Sequence, residues 1–230
     1  MAKAFIATPT YSGVLSLGYV ESLFAGLGNL SEAGHTALVR FLPGNCYIAL
    51  ARNQMVSQFM ETDCTDLIFI DDDVSFDADG LSKLLSHDVD IVGGVYPMKT
   101  KEEGNYPVRL LCDDVGRPKV SGGLISCDGL PTGFMRIRRN VIEKMMEFYP
   151  EREFKDSRTE NTHFDLFACE RENGVWWGED FRFCQLAIRA GFSLWCEPNI
   201  TFKHHGSKAW EGNYHEFLMS CPGGKNADRA

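Results

Sequence analysis

The sequence is short of positive charge, has no paired cysteines and contains no long apolar run. Its 23 Lys and Arg residues stand against 32 Asp and Glu residues, which gives a formal net charge of −9. A broad basic surface for nucleic acid or an anionic membrane is therefore not expected, although a local basic groove stays open. No apolar stretch is long enough to span a bilayer, and no signal peptide precedes the first strand-like segment.

The eight cysteines occur singly and never in the Cys-x-x-Cys spacing typical of zinc knuckles. Their spacing gives no support to a disulfide framework either. Cys184 and Cys196 lie in apolar runs, which predicts small core residues. A reducing, cytoplasmic location is the simplest expectation.

Strand-like apolar runs alternate with segments of helical spacing over residues 1–100. This alternation predicts an α/β protein with a mostly parallel, Rossmann-like sheet flanked by helices. The predicted strands of this half are Lys3–Ala7, Ala37–Leu42, Asp66–Ile70 and Asp90–Tyr96. The predicted helices run from Tyr19 to a stop at Gly34, over Ile48–Met60, and from a cap at Asp77 through His87.

The second half is less regular and predicts a smaller mixed or antiparallel portion added to the parallel core. Residues 149–162 are charged and poor in aliphatics, which predicts a mobile loop. Residues 222–230 are predicted to be a disordered tail. The predicted elements are strands at Val108–Cys112, Leu124–Cys127, Phe134–Ile137 and Ser193–Cys196 and a helix at Glu179–Ala190.

Three consecutive carboxylates, Asp71, Asp72 and Asp73, directly follow the apolar run Leu67–Ile70. In an open α/β sheet, ligands bind outside the carboxyl ends of the strands, where these side chains would emerge. Their mutual repulsion is unfavourable unless a cation neutralises it, and hard oxygen ligands suit Mg²⁺ or Mn²⁺. The alternative is a solvated acidic turn. We favour a metal site because of the position at the end of a strand.

Arg52 lies on the apolar stripe of its predicted helix, with Ile48 and Met55 on the same face. A guanidinium in that position needs an anionic partner, because an unpaired buried charge is very costly. A structural Asp or Glu would satisfy it, and so would a diphosphate, which matches the planar fork of arginine. Both alternatives stay open.

Two tryptophans and a glycine precede two carboxylates at a predicted helix start, in the order Trp176, Trp177, Gly178, Glu179 and Asp180. Acids in a first helical turn are ordinarily stabilised by the helix dipole. One of them could also serve as a general base toward an acceptor hydroxyl, with the tryptophans stacking on a sugar or base. Neither interpretation excludes the other.

Two histidines, His204 and His205, follow a strand-like segment, and Gly206 and Lys208 come next. A single histidine is more often a surface or core residue than a metal ligand. Beside a glycine turn, in a chain with an acidic cluster, one of the two is a candidate for completing a metal shell. Lys208 could then contact a phosphate.

Taken in order, these motifs resemble the GT-A superfamily of nucleotide-sugar glycosyltransferases, particularly the short family-2-like enzymes of bacteria and phages. The order of the motifs is more specific than the Asp-x-Asp pattern alone. The matching segments are Ala7-Thr8-Pro9-Thr10, Ala51-Arg52-Asn53, Asp71-x-Asp73, Asp90-Ile91-Val92-Gly93-Gly94-Val95-Tyr96-Pro97, Thr132-Gly133-Phe134, Gly178-Glu179-Asp180 and Pro198-x-Ile200-x-x-x-His204-x-Gly206.

The resemblance implies a single GT-A domain at residues 1–221, with a nucleotide-binding half at 1–100 and an acceptor half at 101–221. It implies transfer of a sugar from a nucleoside-diphosphate sugar, UDP-sugar first, to an acceptor hydroxyl, with Mn²⁺ or Mg²⁺ as cofactor. The acceptor would be a glycan, a small molecule or a modified nucleic-acid base.

The resemblance also implies a set of site residues. The donor would be bound by Thr8, Pro9, Thr10, Tyr11, Arg52, Asp71, Asp72, Tyr96, Gly133, Phe134 and Lys208. The metal would be held by Asp73, Asp71 and His204; the base would be Asp180, with Glu179 beside it; and the acceptor would contact Trp176 and Trp177.

Other interpretations stay open. The ending His204-x-Gly206-x-Lys208-x-Trp210 also resembles that of glycogenin-like retaining enzymes, so both stereochemical outcomes stay open. A nucleotidyltransferase acting on a sugar phosphate ranks second, because its basic phosphate loop has no counterpart in residues 8–13, which contain no Arg or Lys. A non-catalytic binding module ranks third.

Overall fold

The computed structural model describes residues 1–100, 104–206 and 208–220, and the predicted tail at 222–230 lies outside them. Within these ranges the chain forms sixteen strands, six α-helices and a 3₁₀ turn at Pro150–Arg152. The strands are β1 (Lys3–Thr10), β2 (Thr36–Pro43), β3 (Asp66–Ile70), β4 (Val74–Phe76), β5 (Ile91–Gly94), β6 (Arg109–Leu110), β7 (Val120–Ser121), β8 (Leu124–Gly129), β9 (Phe134–Arg138), β10 (Glu153–Lys155), β11 (Thr162–Phe164), β12 (Glu170–Glu172), β13 (Val175–Trp177), β14 (Leu194–Glu197), β15 (Thr201–His205) and β16 (Ala209–Asn213). The helices are α1 (Leu17–Glu32), α2 (Ile48–Met60), α3 (Gly80–Ser86), α4 (Arg139–Phe148), α5 (Glu179–Arg189) and α6 (Tyr214–Ser220).

A mixed sheet of nine strands organises the molecule, in the order β2-β1-β3-β9-β5-β14-β8-β6, with β7 paired to β8. β1 is parallel to β2 and β3, and β5 is parallel to β14. β9 is antiparallel to both β3 and β5, and β8 is antiparallel to β14. The predicted α/β class with a mostly parallel, partly mixed sheet is confirmed. However, β9 lies inside the main sheet and not in an added portion.

Two elements have the predicted bounds because their sequence patterns are strong. α2 spans Ile48–Met60 and β3 spans Asp66–Ile70, with all five β3 residues buried. Leu67 and Phe69 pack in the core cluster that contains the apolar side of α2, and Ile68 and Ile70 pack with α1 on the other face. A strand covered on both faces has no polar alternation, which explains its continuous apolar run.

β1 extends through Thr10, so Thr8, Pro9 and Thr10 belong to a strand and not to the predicted loop. β3 pairs with β1 only as far as Ala7, opposite Phe69. Beyond Ala7, β3 no longer pairs with the edge of β1 that faces it. A proline is tolerated at such an edge, because its missing N–H removes no ladder hydrogen bond there.

The segment predicted to be a mobile loop, residues 149–162, contains the 3₁₀ turn and the first strand of the hairpin β10–β11. Phe154 contacts His163 across the hairpin, with ring centroids 5.6 Å apart. His163 Nδ1 in turn lies 2.7 Å from Ser57 Oγ on α2. The prediction was wrong because so short a hairpin, supported mainly by contacts with α2, leaves almost no apolar alternation in the sequence.

A three-stranded antiparallel sheet, β4–β15–β16, lies beside the acidic run. β4 begins directly after Asp73, and His204 on β15 is paired with Val74 on β4. Asp77 was predicted to cap α3, but the cap residue is Asp79. The Asp77 carboxylate instead accepts the Thr201 N–H at 2.8 Å, which fixes β15 to the end of β4. This pairing brings the predicted histidine to the predicted carboxylates.

Cys184 and Cys196 are fully buried, as predicted for small core residues. The seven cysteines in the described ranges are free thiols. None of the helices in those ranges has the length and apolarity needed to cross a bilayer.

Candidate functional site

Four polar side chains meet at the carboxyl end of β3: Arg52, Asp71, Glu179 and Asp180. Arg52 Nη2 donates to Asp71 Oδ1 at 3.2 Å. Its Nε lies 3.8 Å from Glu179 Oε1, and its Nη2 lies 3.8 Å from Asp180 Oδ1. We call these four residues the arginine cluster. Of the two alternatives for Arg52, the structure shows the carboxylate partner.

Arg52 is surrounded by negative charge yet makes few hydrogen bonds. Its side chain is only 3% exposed, and Nε and Nη1 are buried with no hydrogen-bond partner in the part of the chain the structure describes. The ring of Phe69 lies 5.4 Å from the guanidinium carbon. Burial acts to lower the pKa of Arg52, but the neighbouring carboxylates outweigh it and raise the pKa overall. The guanidinium therefore stays charged at any physiological pH.

Asp180 is the strongly perturbed acid of the cluster. Burial raises its pKa to about 7, with repulsion from Glu179 and Asp71 adding to the effect and attraction to Arg52 opposing it. Its Oδ1 is enclosed and has no hydrogen-bond partner among the described residues, yet the side chain as a whole is 31% exposed. A carboxylate that is reachable from solvent and titrates near neutral pH is suited to accept a proton.

Asp71 is held in place by several contacts. The Tyr96 hydroxyl donates to its Oδ2 at 3.2 Å, and its backbone N–H donates to the Gly133 carbonyl at 3.0 Å. A Cβ at Gly133 would collide with Asp71 Oδ2 and Tyr96 Oη, so this close approach requires glycine. The structure thus brings three residues to which the resemblance gave donor-binding roles, Asp71, Tyr96 and Gly133, into contact with one another.

A second polar cluster contains Asp73, His204 and Lys99, and we call it the open cluster. His204 Nε2 lies 3.5 Å from Asp73 Oδ1, and Lys99 Nζ contacts Asp73 Oδ2. Burial acts to raise the pKa of Asp73, but the contacts with His204 and Lys99 lower it overall. All three side chains remain partly exposed, in contrast to Arg52.

The orientation of His204 is set by its other ring nitrogen. Nδ1 lies 2.9 Å from the carbonyl oxygen of Pro97, and because a carbonyl can only accept, Nδ1 must carry a proton. In the neutral ring, Nε2 then presents its lone pair to Asp73 Oδ1, and two acceptors 3.5 Å apart repel each other. A proton or a metal ion at Nε2 removes this repulsion. A backbone carbonyl that fixes the tautomer in this way is a usual partner of a metal-bound histidine.

Asp73 and His204 are two side chains that could hold a divalent cation if a substrate supplied its remaining ligands. No group of three or more His, Cys, Asp or Glu side chains is placed to hold a metal within residues 1–100, 104–206 and 208–220. Asp71, the predicted third ligand, directs its carboxylate to Arg52 and Tyr96. Mg²⁺ is commonly held by one or two protein carboxylates plus substrate phosphates, so an incomplete protein shell is compatible with it.

His205 does not belong to the open cluster. Its Nε2 lies 2.8 Å from Ser75 Oγ, and a Cβ at Gly18 would collide with its ring. Successive side chains of a strand point to opposite faces, so only one of two adjacent histidines can face Asp73. Between the two candidates from the sequence, the structure places His204 there.

Two predicted donor-binding residues lie in the core. The Thr8 hydroxyl is fully buried, 2.6 Å from Tyr19 Oη. Phe134 is fully buried and packs against Phe76 and Phe202, with ring centroids 4.7 and 5.0 Å away. Both side chains point into the layer between the sheet and its covering elements.

The remaining N-terminal residues differ in exposure. Pro9 and Thr10 are buried, and the Thr10 hydroxyl donates to the Val14 carbonyl at 3.3 Å. Burial raises the pKa of Asp72, repulsion from Asp73 adds to this, and a hydrogen bond from Thr10 opposes it. Tyr11 is exposed, as an aromatic contact for a nucleoside would require.

Lys99, which the sequence reading missed, occupies the place expected for Lys208. Lys208 instead lies over the ring of Trp210, 5.0 Å from its centroid. The only sequence signal for Lys99 is its position shortly after the predicted strand that ends at Tyr96. Many surface lysines share such a position, so the signal is not specific.

The two tryptophans predicted to contact an acceptor lie on β13, just before α5. Trp176 is 69% exposed. Trp177 is half-buried, and its ring lies 5.4 Å from the guanidinium carbon of Arg109. Trp176 is therefore the one whose ring is open for stacking.

No protein-family model and no curated protein sequence matches this chain. One similar solved structure is a glycosyltransferase involved in the glycosylation of the major capsid of PBCV-1, at 8% identity and a TM-score of 0.33, covering 64% of this chain and 67% of that one. Another is the inositol-1-phosphate CTP transferase from T. maritima, at 12% identity and a TM-score of 0.43, covering 93% of this chain and 94% of that one. At such low similarity neither likeness supports an argument about the activity of this chain.

Proposed function

We propose that this protein is a glycosyltransferase that moves a sugar from a nucleoside-diphosphate sugar to an acceptor hydroxyl, with a divalent cation at the open cluster. The observation that carries the proposal is the position of His204. Its Nδ1 lies 2.9 Å from the Pro97 carbonyl oxygen, which requires a proton on Nδ1, and its Nε2 lies 3.5 Å from Asp73 Oδ1. That arrangement favours a shared cation between the two side chains.

The open cluster would receive the diphosphate of the donor. A bound Mg²⁺ or Mn²⁺ would offset the negative charge that develops on the leaving nucleoside diphosphate. Asp73 and His204 would hold the ion, and Lys99, already in contact with Asp73, would reach a phosphate oxygen. We propose a UDP-sugar as the first donor to test, with the exposed ring of Tyr11 available to the nucleoside.

The arginine cluster would deprotonate the acceptor. The raised pKa of Asp180 makes its carboxylate a competent base near neutral pH, and its side chain is reachable from solvent. Arg52 would hold Asp71, Glu179 and Asp180 at fixed positions while limiting their mutual repulsion. Acceptor classes that suit a hydroxyl nucleophile are a glycan, a small molecule or a modified nucleic-acid base.

The test is a panel of nucleotide sugars with Mn²⁺ and Mg²⁺, in which released nucleoside diphosphate is measured. We expect release by the wild-type protein and a loss of about 100-fold or more in Asp73→Ala, because the variant loses a ligand of the charge-neutralising ion. Asp88→Ala is the control, since that carboxylate is almost fully exposed and pairs only with Arg138 at the surface.

Three other outcomes would overturn the proposal. Release of pyrophosphate from a nucleoside triphosphate and a sugar phosphate would identify a nucleotidyltransferase. Saturable binding of donors without any turnover would identify a binding module. Equal turnover by Asp73→Ala and the wild-type protein would remove the open cluster from the mechanism.

A further inference from the structure

A cavity of about 650 Å³ lies between α2 and the segment that carries β10 and the start of β12. Its walls include Leu50 and Asn53 from α2, Phe154 from β10, and Cys169. The volume is within the range of roughly 300–1,000 Å³ that small-molecule sites occupy. No residue of this lining belongs to either polar cluster.

The cavity adjoins the arginine cluster. Cys169 lines it, and its Sγ lies 3.7 Å from Glu179 Oε2. Glu179 Oε1 is in turn 3.8 Å from Arg52 Nε. A molecule bound in the cavity would therefore be separated by the Cys169 side chain from Glu179, which precedes the proposed base Asp180 in the chain.

The wall formed by α2 is fixed in place before any ligand binds. Asn53 is almost fully buried, and its Nδ2 donates to Asp165 Oδ1 at 2.8 Å. Its Oδ1 accepts the backbone N–H groups of Leu166 and Phe167 at 3.1 and 2.9 Å. These bonds join α2 to the segment that follows β11, so the cavity is preformed.

The lining is negatively charged. Arg152 is already used, since its Nη2 donates to Glu170 Oε1 at 2.8 Å and its Nη1 donates to the Asp165 carbonyl at 3.1 Å. Glu151 and Glu153 are exposed at the rim and have no ion pair within the described ranges. The available charge is therefore that of unpaired carboxylates, which attract amines and repel phosphates.

We propose that this cavity binds the acceptor, and that the acceptor is a sugar without phosphate groups, preferably one that carries an amine. The carboxylates of Glu151 and Glu153 accept hydrogen bonds from hydroxyl and ammonium groups, and Leu50 and Phe154 offer apolar contact to a sugar ring. The inference rests on the proposed function, because it names the second substrate of the same reaction. A nucleic-acid acceptor is disfavoured, since its phosphates would lie against free carboxylates.

The test uses three probes of different charge built on one sugar ring: methyl glucosaminide, in which an amine replaces the 2-hydroxyl, methyl glucoside, and methyl glucoside 6-phosphate. Their binding to the full chain is measured by titration calorimetry near pH 7. We expect the amine to bind best and the phosphate to bind worst. The double variant Glu151→Gln, Glu153→Gln should weaken the amine about fivefold and leave the neutral sugar nearly unchanged, because only the charge interaction is removed.

Two further variants distinguish binding in the cavity from effects that any substitution could have on probe binding. Ala49→Trp places a large side chain against the lining and should weaken binding of all three probes. Glu32→Gln removes an exposed carboxylate of α1 that does not line the cavity, and should change nothing. Three results would overturn the inference. The phosphate probe could bind best, or an oligonucleotide could bind more tightly than the amine. Binding could also be unchanged both in Ala49→Trp and in the double variant Glu151→Gln, Glu153→Gln.

Donor cleavage without acceptor, measured in the same variants, distinguishes failure here from failure of the proposed function. If nucleoside diphosphate is released in an Asp73-dependent way but the cavity variants do not alter sugar binding, only the acceptor site is wrong. If no donor is cleaved or bound by the wild-type protein, the proposed function is wrong, and the inference about an acceptor falls with it.

Discussion

Arg52 and Arg136 are both buried, with 3% and 1% of their side chains exposed, but the two sites satisfy them in different ways. Arg136 donates to the backbone carbonyls of four residues within 84–90, and Asp66 Oδ1 lies 3.7 Å from its Nε. Arg52 makes one hydrogen bond of 3.2 Å, to Asp71. Its other close neighbours are carboxylates at 3.8 Å.

The difference indicates a structural role for Arg136 and agrees with the functional role proposed for Arg52. Carbonyl groups do not titrate, so the bonds that join Arg136 on β9 to the end of α3 and the segment before β5 do not change with pH as long as Arg136 is protonated. Burial lowers its pKa to about 10, whereas the acids around Arg52 raise the pKa of that residue. Natural proteins rarely leave buried donors unpaired without a reason, and strongly coupled charges concentrate at functional sites.

The largest effect should come from Arg136→Met. The variant removes the side-chain donor from the carbonyl groups of Leu84, His87 and Val89, and we expect the free energy of unfolding to fall by about 3–5 kcal/mol. Urea denaturation measures this. Arg138→Met, two residues along the same strand, removes a surface pair with Asp88 and should cost less than about 1 kcal/mol. Similar losses in the two variants would contradict the structural role.

The next effect is that of Arg52→Met, which removes the cation from three carboxylates. We expect the variant to be less stable than the wild-type protein by about 2 kcal/mol at pH 8. The pKa of Asp180 is already raised, and without Arg52 it should rise further. An acid with a raised pKa destabilises the folded state above its unfolded pKa, and this penalty disappears as the pH falls and both states become protonated.

The stability lost in Arg52→Met should therefore shrink between pH 8 and pH 4 by more than that lost in Arg136→Met, because three carboxylates surround Arg52 and one, Asp66, lies beside Arg136. Urea denaturation across this pH range sharpens the comparison of the two arginines. If the stability lost in Arg52→Met is independent of pH, the pKa values of the carboxylates around Arg52 do not depend on its charge.

Asp180→Asn should change activity and stability in opposite directions. Transfer should fall about 100-fold or more, because the variant cannot accept a proton from the acceptor. Stability at pH 8 should rise by about 1 kcal/mol, because one ionised carboxylate with a raised pKa is removed from an enclosed cluster. Asp128→Asn, at a more exposed pair with Arg109, is the control and should change neither. A loss of stability in Asp180→Asn would contradict the idea that the arginine cluster holds more negative charge than Arg52 offsets.

The sequence predicted those parts of the site that depend on local patterns. The run from Asp71 to Asp73 follows a strand with a clear apolar pattern, and Arg52 lies on a helix whose bounds were predicted correctly. The position of His204 beside Asp73 depends on the pairing of β15 with β4, which is a contact between distant segments. Lys99 follows a strand without any residue pattern that distinguishes it.

Long-range pairing also explains the errors in the fold. β9 was predicted as a strand, but its antiparallel insertion between β3 and β5 is fixed by Arg136 and by packing on both neighbours. The resemblance implied that Thr8 binds the donor. Its partner Tyr19 lies on the next helix, so the orientation of Thr8 is decided by tertiary contacts.

The smallest expected effect concerns Lys99. Its side chain is partly exposed, so it can move away from Asp73 without breaking a buried contact. Its ammonium contacts the same carboxylate that a metal ion would share with His204, so lysine and metal compete for Asp73. We expect Lys99→Met to tighten Mn²⁺ binding by about three- to tenfold, measured by electron paramagnetic resonance of free Mn²⁺ without donor. Lys83→Met, which removes a surface pair with Asp79, should leave Mn²⁺ affinity unchanged. If Lys99→Met weakens Mn²⁺ binding instead, Lys99 orients Asp73 for the ion and does not compete with it, and the open cluster is then as preorganised as the arginine cluster.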